Sequence, residues 1–115
     1  MIWENLESEA QLNAILESSE HTPVAIFKHS TRCNISSMVK DRMERKSEVL
    51  PENFKIFYLD LLNFRNISNR IADNLGVQHQ SPQLLLIKNR QCVFHASHGA
   101  ISTDVLSEKL MQSQS

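Results

Sequence analysis

The chain has 115 residues, 41% of them hydrophobic, with 12 basic and 13 acidic side chains giving a formal charge of −1. That length suits a single domain spanning 1–115, with a core that needs no metal or disulfide staple. Near-neutral charge argues against nucleic acid or an anionic membrane as partner.

The opening residues MIWENLESEA have neither a basic n-region nor an apolar h-region, and no apolar run nears the ~20 residues of a membrane span. A cytoplasmic protein is therefore expected. Ser8 and Gln11 have capping-box spacing, and Leu12, Ile15 and Leu16 follow at helical intervals, which predicts a helix over 9–18. Val24-Ala25-Ile26-Phe27 is a continuous apolar run of strand length and reads as a central strand covered on both faces. A second helix is predicted to begin near Cys33, with Ile35, Met38, Val39, Arg42, Met43 and Lys46 along one face.

Residues 54–59, aromatic and β-branched, predict a second strand ending at Asp60. Ile67, Ile71 and Leu75 sit four apart ahead of Gly76, a left-handed C-cap, and predict a third helix. Two short strands at 84–87 and 92–95 flank Lys88-Asn89-Arg90-Gln91 as a hairpin. Ser102 caps a last helix to about Met111, with Ile101 and Leu106 as a hydrophobic staple. The order αβαβαββα predicts an α/β protein with a four-stranded mixed sheet flanked by helices. The βαβ strands are parallel and the hairpin is antiparallel.

Cys33 falls where the first strand runs out and the second helix begins, with Ser36 three residues later. That is half of a Cys-x-x-Cys site with a hydroxyl in place of the second thiol. Helix amides and the helix dipole favour a thiolate there, Arg32 adds positive charge, and the Ser36 hydroxyl is placed to hydrogen-bond the sulfur. Most free cysteines are small buried hydrophobes; the helix start and the polar neighbours Ser30, Thr31 and Asn34 favour a reactive thiol instead. The competing reading of Ser36 is a solvated first-turn serine. If the third strand runs antiparallel to the first, its start at Ser81-Pro82 and the segment Ala96 to Ala100 both converge on the Cys33 loop.

Cys92 opens the fourth strand, ~15 Å away at ~3.3 Å per strand residue. A disulfide needs Cα atoms within about 7 Å, so Cys92 reads as structural. The five histidines do not suggest three convergent metal ligands. His98 is the one expected near the site, and His29 reads as a surface residue or, if protonated, a source of positive potential. Lys28, Arg32, Lys40 and Arg42 read as a solvated basic face, or as an attractor for an acidic low-molecular-weight thiol.

Strand–Cys-x-x-Ser–helix, Gly76-Val77, Ser81-Pro82 opening a strand, and His98-Gly99-Ala100 before the last helix together resemble the thioredoxin superfamily. Trp3, the string Phe27 to Cys33, Ile35-Ser36 and Ser81-Pro82-Gln83 resemble the monothiol bacilliredoxins, YtxJ-like proteins of bacillithiol-using bacteria, over nearly the whole chain. The resemblance implies a cis Pro82 that presents the Ser81 backbone to a bound disulfide or peptide. It also implies redox chemistry at Cys33, with Thr31, Asn34, Ser81, Pro82 and Gly99 as substrate-binding residues. The partners implied are S-bacillithiolated proteins and a low-molecular-weight thiol, with bacillithiol as co-substrate and no bound cofactor.

Asn34 stands where the family usually has proline, which restores an amide donor and leaves the helix start less rigid. Phe27 stands six residues before Cys33, where dithiol thioredoxins often carry a buried carboxylate. Losing that acid is coherent with losing the second thiol. Two other readings compete: a thioredoxin-fold binding module without turnover, and a glutathione-dependent monothiol glutaredoxin. Glutaredoxins of that type have Gly-Phe between cysteine and serine, whereas this chain has Asn34-Ile35.

Overall fold

A computed structural model describes residues 1–30 and 34–113. Five strands form one mixed sheet: β1 (Ile2–Asn5), β2 (Val24–His29), β3 (Lys55–Asp60), β4 (Gln83–Lys88) and β5 (Gln91–Ser97). Their spatial order is β1-β3-β2-β4-β5, with β1, β3 and β2 parallel and β4 and β5 antiparallel to their neighbours. Four helices surround it: α1 (Glu9–Ser18), α2 (Asn34–Arg45), α3 (Arg65–Leu75) and α4 (Thr103–Ser113).

Alternation along β2 sorts the core into two layers. Val24 and Ile26 pack with Leu12, Ile15 and Leu16 of α1 and Ile67 and Ile71 of α3. Ala25 and Phe27 pack with Val39 and Met43 of α2 and Leu106 and Leu110 of α4. Each fully buried Leu, Ile or Phe contributes roughly 1.5–3 kcal/mol, so the two layers are what hold the sheet and helices together.

The local signals act as their chemistry dictates. The Ser8 hydroxyl accepts from the Gln11 amide at 3.1 Å, while the Gln11 carbonyl reaches back to the Glu7 amide at 2.8 Å. Gly76 takes φ 66° and its N–H closes α3 on the Ala72 carbonyl at 3.0 Å. Ser102 accepts from the amides of Asp104 and Val105, and Ile101 and Leu106 are both fully buried.

Three expectations need correction. The sheet has five strands, not four, because Ile2–Asn5 pairs in parallel with β3, Ile2 opposite Lys55 and Asn5 opposite Tyr58. This edge strand carries little intrinsic strand signal; it is held by the Trp3 ring, edge-on to Phe27 at 5.8 Å and to Tyr58 at 6.5 Å. The hairpin loop is only Asn89-Arg90, with φ of 53° and 65°. Paired positive φ values match the twist of a two-residue hairpin. Finally, α2 is turned by about one residue: Ser36, Val39 and Met43 are buried, while Ile35 and Met38 are 54% and 68% exposed.

Candidate thiol site

At the carboxyl end of β2 the chain enters the 31–33 segment and re-emerges at Asn34, the exposed first residue of α2. Thr31, Arg32 and Cys33 lie outside the described residues, so their expected roles carry forward as proposals. Their flanks can be placed. Register brings Lys28 opposite Gln83, and Gln83 opposite Ser97. The end of β2, the start of β4 and the end of β5 therefore share one end of the sheet.

The Ser81–Pro82 peptide at that end is cis, with Pro82 buried and Ser81 half-buried. His98, at φ 54°, donates its amide to the Pro82 carbonyl at 3.1 Å, which fixes the 98–100 turn beside the Ser81–Pro82 step. Gly99 is exposed in that turn and lines a shallow groove with Ile35, Met38 and Arg42 of α2. Arg42 donates to the Ile101 carbonyl at 2.6 Å, which tethers α2 to the same turn. Asn34, Ser81, Pro82 and Gly99 are thus gathered around one end of the sheet.

Ser36 is fully buried, which overturns its reading as a solvated serine, and its hydroxyl has no hydrogen-bond partner among the described residues. His29 is also buried, stacked on Phe27 and tilted against Tyr58. Burial and the nearby Lys40 charge lower its pKa, with Asp60 and the Ser36 backbone opposing. The lowered pKa favours the neutral imidazole, and burial corrects its reading as a surface residue.

Of the expected basic face, Arg32 lies outside the described residues, and the other three members do not share one solvated surface. Lys40 pairs with Glu44 and lies over the rings of Trp3 and Tyr58, and Arg42 is spent on Ile101. Lys28 is fully buried on the opposite side of the sheet, facing α3. Alternation explains this, since Phe27 and His29 take the α2 side and Lys28 must take the other. Sequence reasoning missed Lys28 and His29 because a charged or polar residue at a strand end ordinarily points to water.

Cys92 sits opposite Ile87, away from the Gln83–Ser97 pair at the site end, and its sulfur is directed at the Phe94 carbonyl at 3.3 Å. Burial raises its thiol pKa, the opposite of what a reactive thiol needs. Among the described residues no group of three or more His, Cys, Asp or Glu is placed to hold a metal, and no helix is long and apolar enough to cross a membrane.

A parallel βαβ unit, an antiparallel hairpin opened by a cis proline, and helices on both faces of the sheet define a thioredoxin fold. Solved structures agree. A candidate oxidoreductase with a thioredoxin fold superposes with TM-score 0.78 at 26% identity, covering 93% of this chain and 92% of that one. Thioredoxin from Trypanosoma brucei brucei superposes with TM-score 0.76 at 18% identity, covering 98% and 91%. A reduced Schistosoma mansoni thioredoxin pre-protein gives 0.73 at 14%, covering 97% and 98%.

Within this class the sequence matches the family described as Monothiol bacilliredoxin BrxC over residues 4–106. The chain belongs to that family and is a thiol redox protein.

Proposed function

We propose that this protein removes bacillithiol from protein mixed disulfides through Cys33. The Cys33 thiolate attacks the bacillithiol sulfur of the mixed disulfide. A bond forms between those two sulfurs, the original S–S bond breaks, and the protein sulfur leaves as a thiolate that takes a proton from solvent. The thiolate of a second bacillithiol then attacks the bacillithiol sulfur now on Cys33. Bacillithiol disulfide departs and the Cys33 thiolate is regenerated, with no net change in electrons on the enzyme.

The observation that carries this reading is the family match, which spans Cys33 and a chain whose other cysteine is a half-buried thiol with a raised pKa. With Ser36 at the second position of the motif, the oxidised enzyme has no local thiol to turn to and needs an external one. Arg32 and Ser36 are proposed to stabilise the thiolate. Thr31, Asn34, Ser81, Pro82 and Gly99 are proposed to bind the substrate, the Ser81 backbone pairing with it like an added strand. In exchange chemistry the best attacking thiol has a pKa near ambient pH, so Cys33 is expected modestly below ~8.5.

Intact-mass analysis after exposure to oxidised bacillithiol tests this. The wild type and Cys92→Ser should each gain one bacillithiol, and Cys33→Ser none. An adduct that persists in Cys33→Ser overturns the assignment. Bacillithiol-dependent release of a model bacillithiolated protein should likewise require Cys33.

A further inference from the structure

We propose that His79 is a proton-operated latch on the segment ahead of the cis Ser81–Pro82 step: unprotonated, its imidazole ties residues 77–81 to β2 and α3, and protonation releases them. The bearing of this latch on substrate rests on the reading of Ser81 and Pro82 as substrate-binding residues.

Residues 77–81 run from α3 to β4 outside any helix or strand. Val77 anchors one end of this segment in the core, and the Gln78 carbonyl accepts from the Gln83 side chain at 3.0 Å. His79 adds a third tie. Its Nδ1 lies 3.2 Å from the Ser68 hydroxyl of α3 and 3.5 Å from Nζ of Lys28 on β2. The same Nζ lies 3.4 Å from the Ser68 carbonyl. An ammonium can only donate, so Nδ1 must present its lone pair to Lys28. One nitrogen thus holds the segment to two elements, and it does so only while it carries no proton.

Protonation sets a second positive charge beside the first, 3.5 Å away. A like charge at that distance disfavours the charged imidazole. The two side chains differ in their freedom to part. Lys28 is fully buried at the penultimate position of β2, whereas His79 is largely exposed. His79 is therefore the one that swings away.

Nothing among the described residues offsets the pair. The other charged group that acts on His79 is Arg65 of α3, also basic. β4 offers neutral Gln83, α1 packs Leu12, Ile15 and Leu16 on this side, and β3 contributes Leu59. The Asp60 carboxylate is engaged with the Leu62 amide and Asn63. Partial burial, then the charges of Lys28 and Arg65, lower the His79 pKa. Release therefore comes below the ordinary histidine value of about 6.5.

The test follows the His79 ring and the backbone amides by NMR. Order parameters of Gln78, His79 and Gln80 should be near ~0.85 well above the His79 midpoint and under ~0.6 well below it, while β4 stays rigid throughout. In Lys28→Met the midpoint should rise by about half a pH unit or more. The segment should then stay ordered on both sides of it, because protonated Nδ1 can donate to the Ser68 hydroxyl. His79→Asn, whose amide oxygen can stand in for Nδ1 without titrating, should stay ordered at every pH, and it serves if Lys28→Met does not fold.

A wild-type segment that keeps its order through the His79 titration overturns the proposal. Equal loosening in His79→Asn overturns it as well. No arm of this test uses Cys33 or bacillithiol, so failure to form the Cys33 adduct would sink the proposed function and leave the latch standing.

Discussion

The imidazole of His29 sits 5.1 Å from the ring of Tyr58, tilted by 43°, so a basic side chain at the carboxyl end of β2 is packed as an aromatic core residue. Phe27 completes the stack on its other side at 5.8 Å. Dithiol relatives often use a carboxylate at the Phe27 position; this chain lines the same region with rings.

Burial of His29 has a pH consequence. Its folded pKa lies below the ordinary 6.5, chiefly through desolvation. The unfolded chain therefore binds more protons over the interval between the two values, and stability falls as pH drops through it. Chemical denaturation at stepped pH should show wild type losing stability below about pH 6.5. His29→Phe should lose less over that range. Equal losses in the two proteins would mean that His29 is not the acid-sensitive group.

Lys28 acts at the alkaline end. Its pKa falls from 10.5 to about 8, and over that window the unfolded chain holds a proton that the folded one has released. Stability from this group therefore rises with pH between the two values. At ~1.4 kcal/mol per pH unit the buried charge costs about 3 kcal/mol at neutral pH. Lys28→Met should be the more stable protein at pH 7, by about 1–3 kcal/mol after the lost hydrogen bonds are counted. The gap should close as pH rises toward 10, and urea titrations at three pH values would measure it.

Removing the Ser36 hydroxyl separates fold from chemistry. The hydroxyl is buried with no partner among the described residues, and alanine is the better helix former. Ser36→Ala should leave stability unchanged or raise it by up to about 1 kcal/mol. If the hydroxyl serves the thiolate, the same variant raises the Cys33 pKa, read from thiolate ultraviolet absorbance. A stable variant with an unchanged thiol would assign Ser36 to packing.

Gly76 supplies a control on the fold. Its φ of 66° is left-handed, and a Cβ there would meet nothing within 4 Å. The cost of Gly76→Ala is therefore one of backbone conformation, about 1–2 kcal/mol, measurable as a lower urea midpoint with an unchanged slope. Gly76→Asn should lose less, since asparagine tolerates this region better.

Much of this protein is written in local order. The apolar run at Val24–Phe27, the four-residue spacing of Ile67, Ile71 and Leu75, Gly76 as a stop and Ser8 and Ser102 as caps specify elements through interactions a few residues long. The sequence alone determined these, and with them the thioredoxin-like order of the elements. Tertiary structure decided what depends on distant partners. Ile2–Asn5 becomes a strand because β3 offers an unpaired edge and Trp3 finds Phe27 and Tyr58. The face of α2 is set by what fits against the sheet, so Ser36 is buried and Met38 is not. Lys28 and His29, adjacent in the chain, part to opposite sides of β2 because successive strand side chains must alternate. Whether each is charged then follows from the layer it enters: one meets a carbonyl and an imidazole, the other a stack of rings.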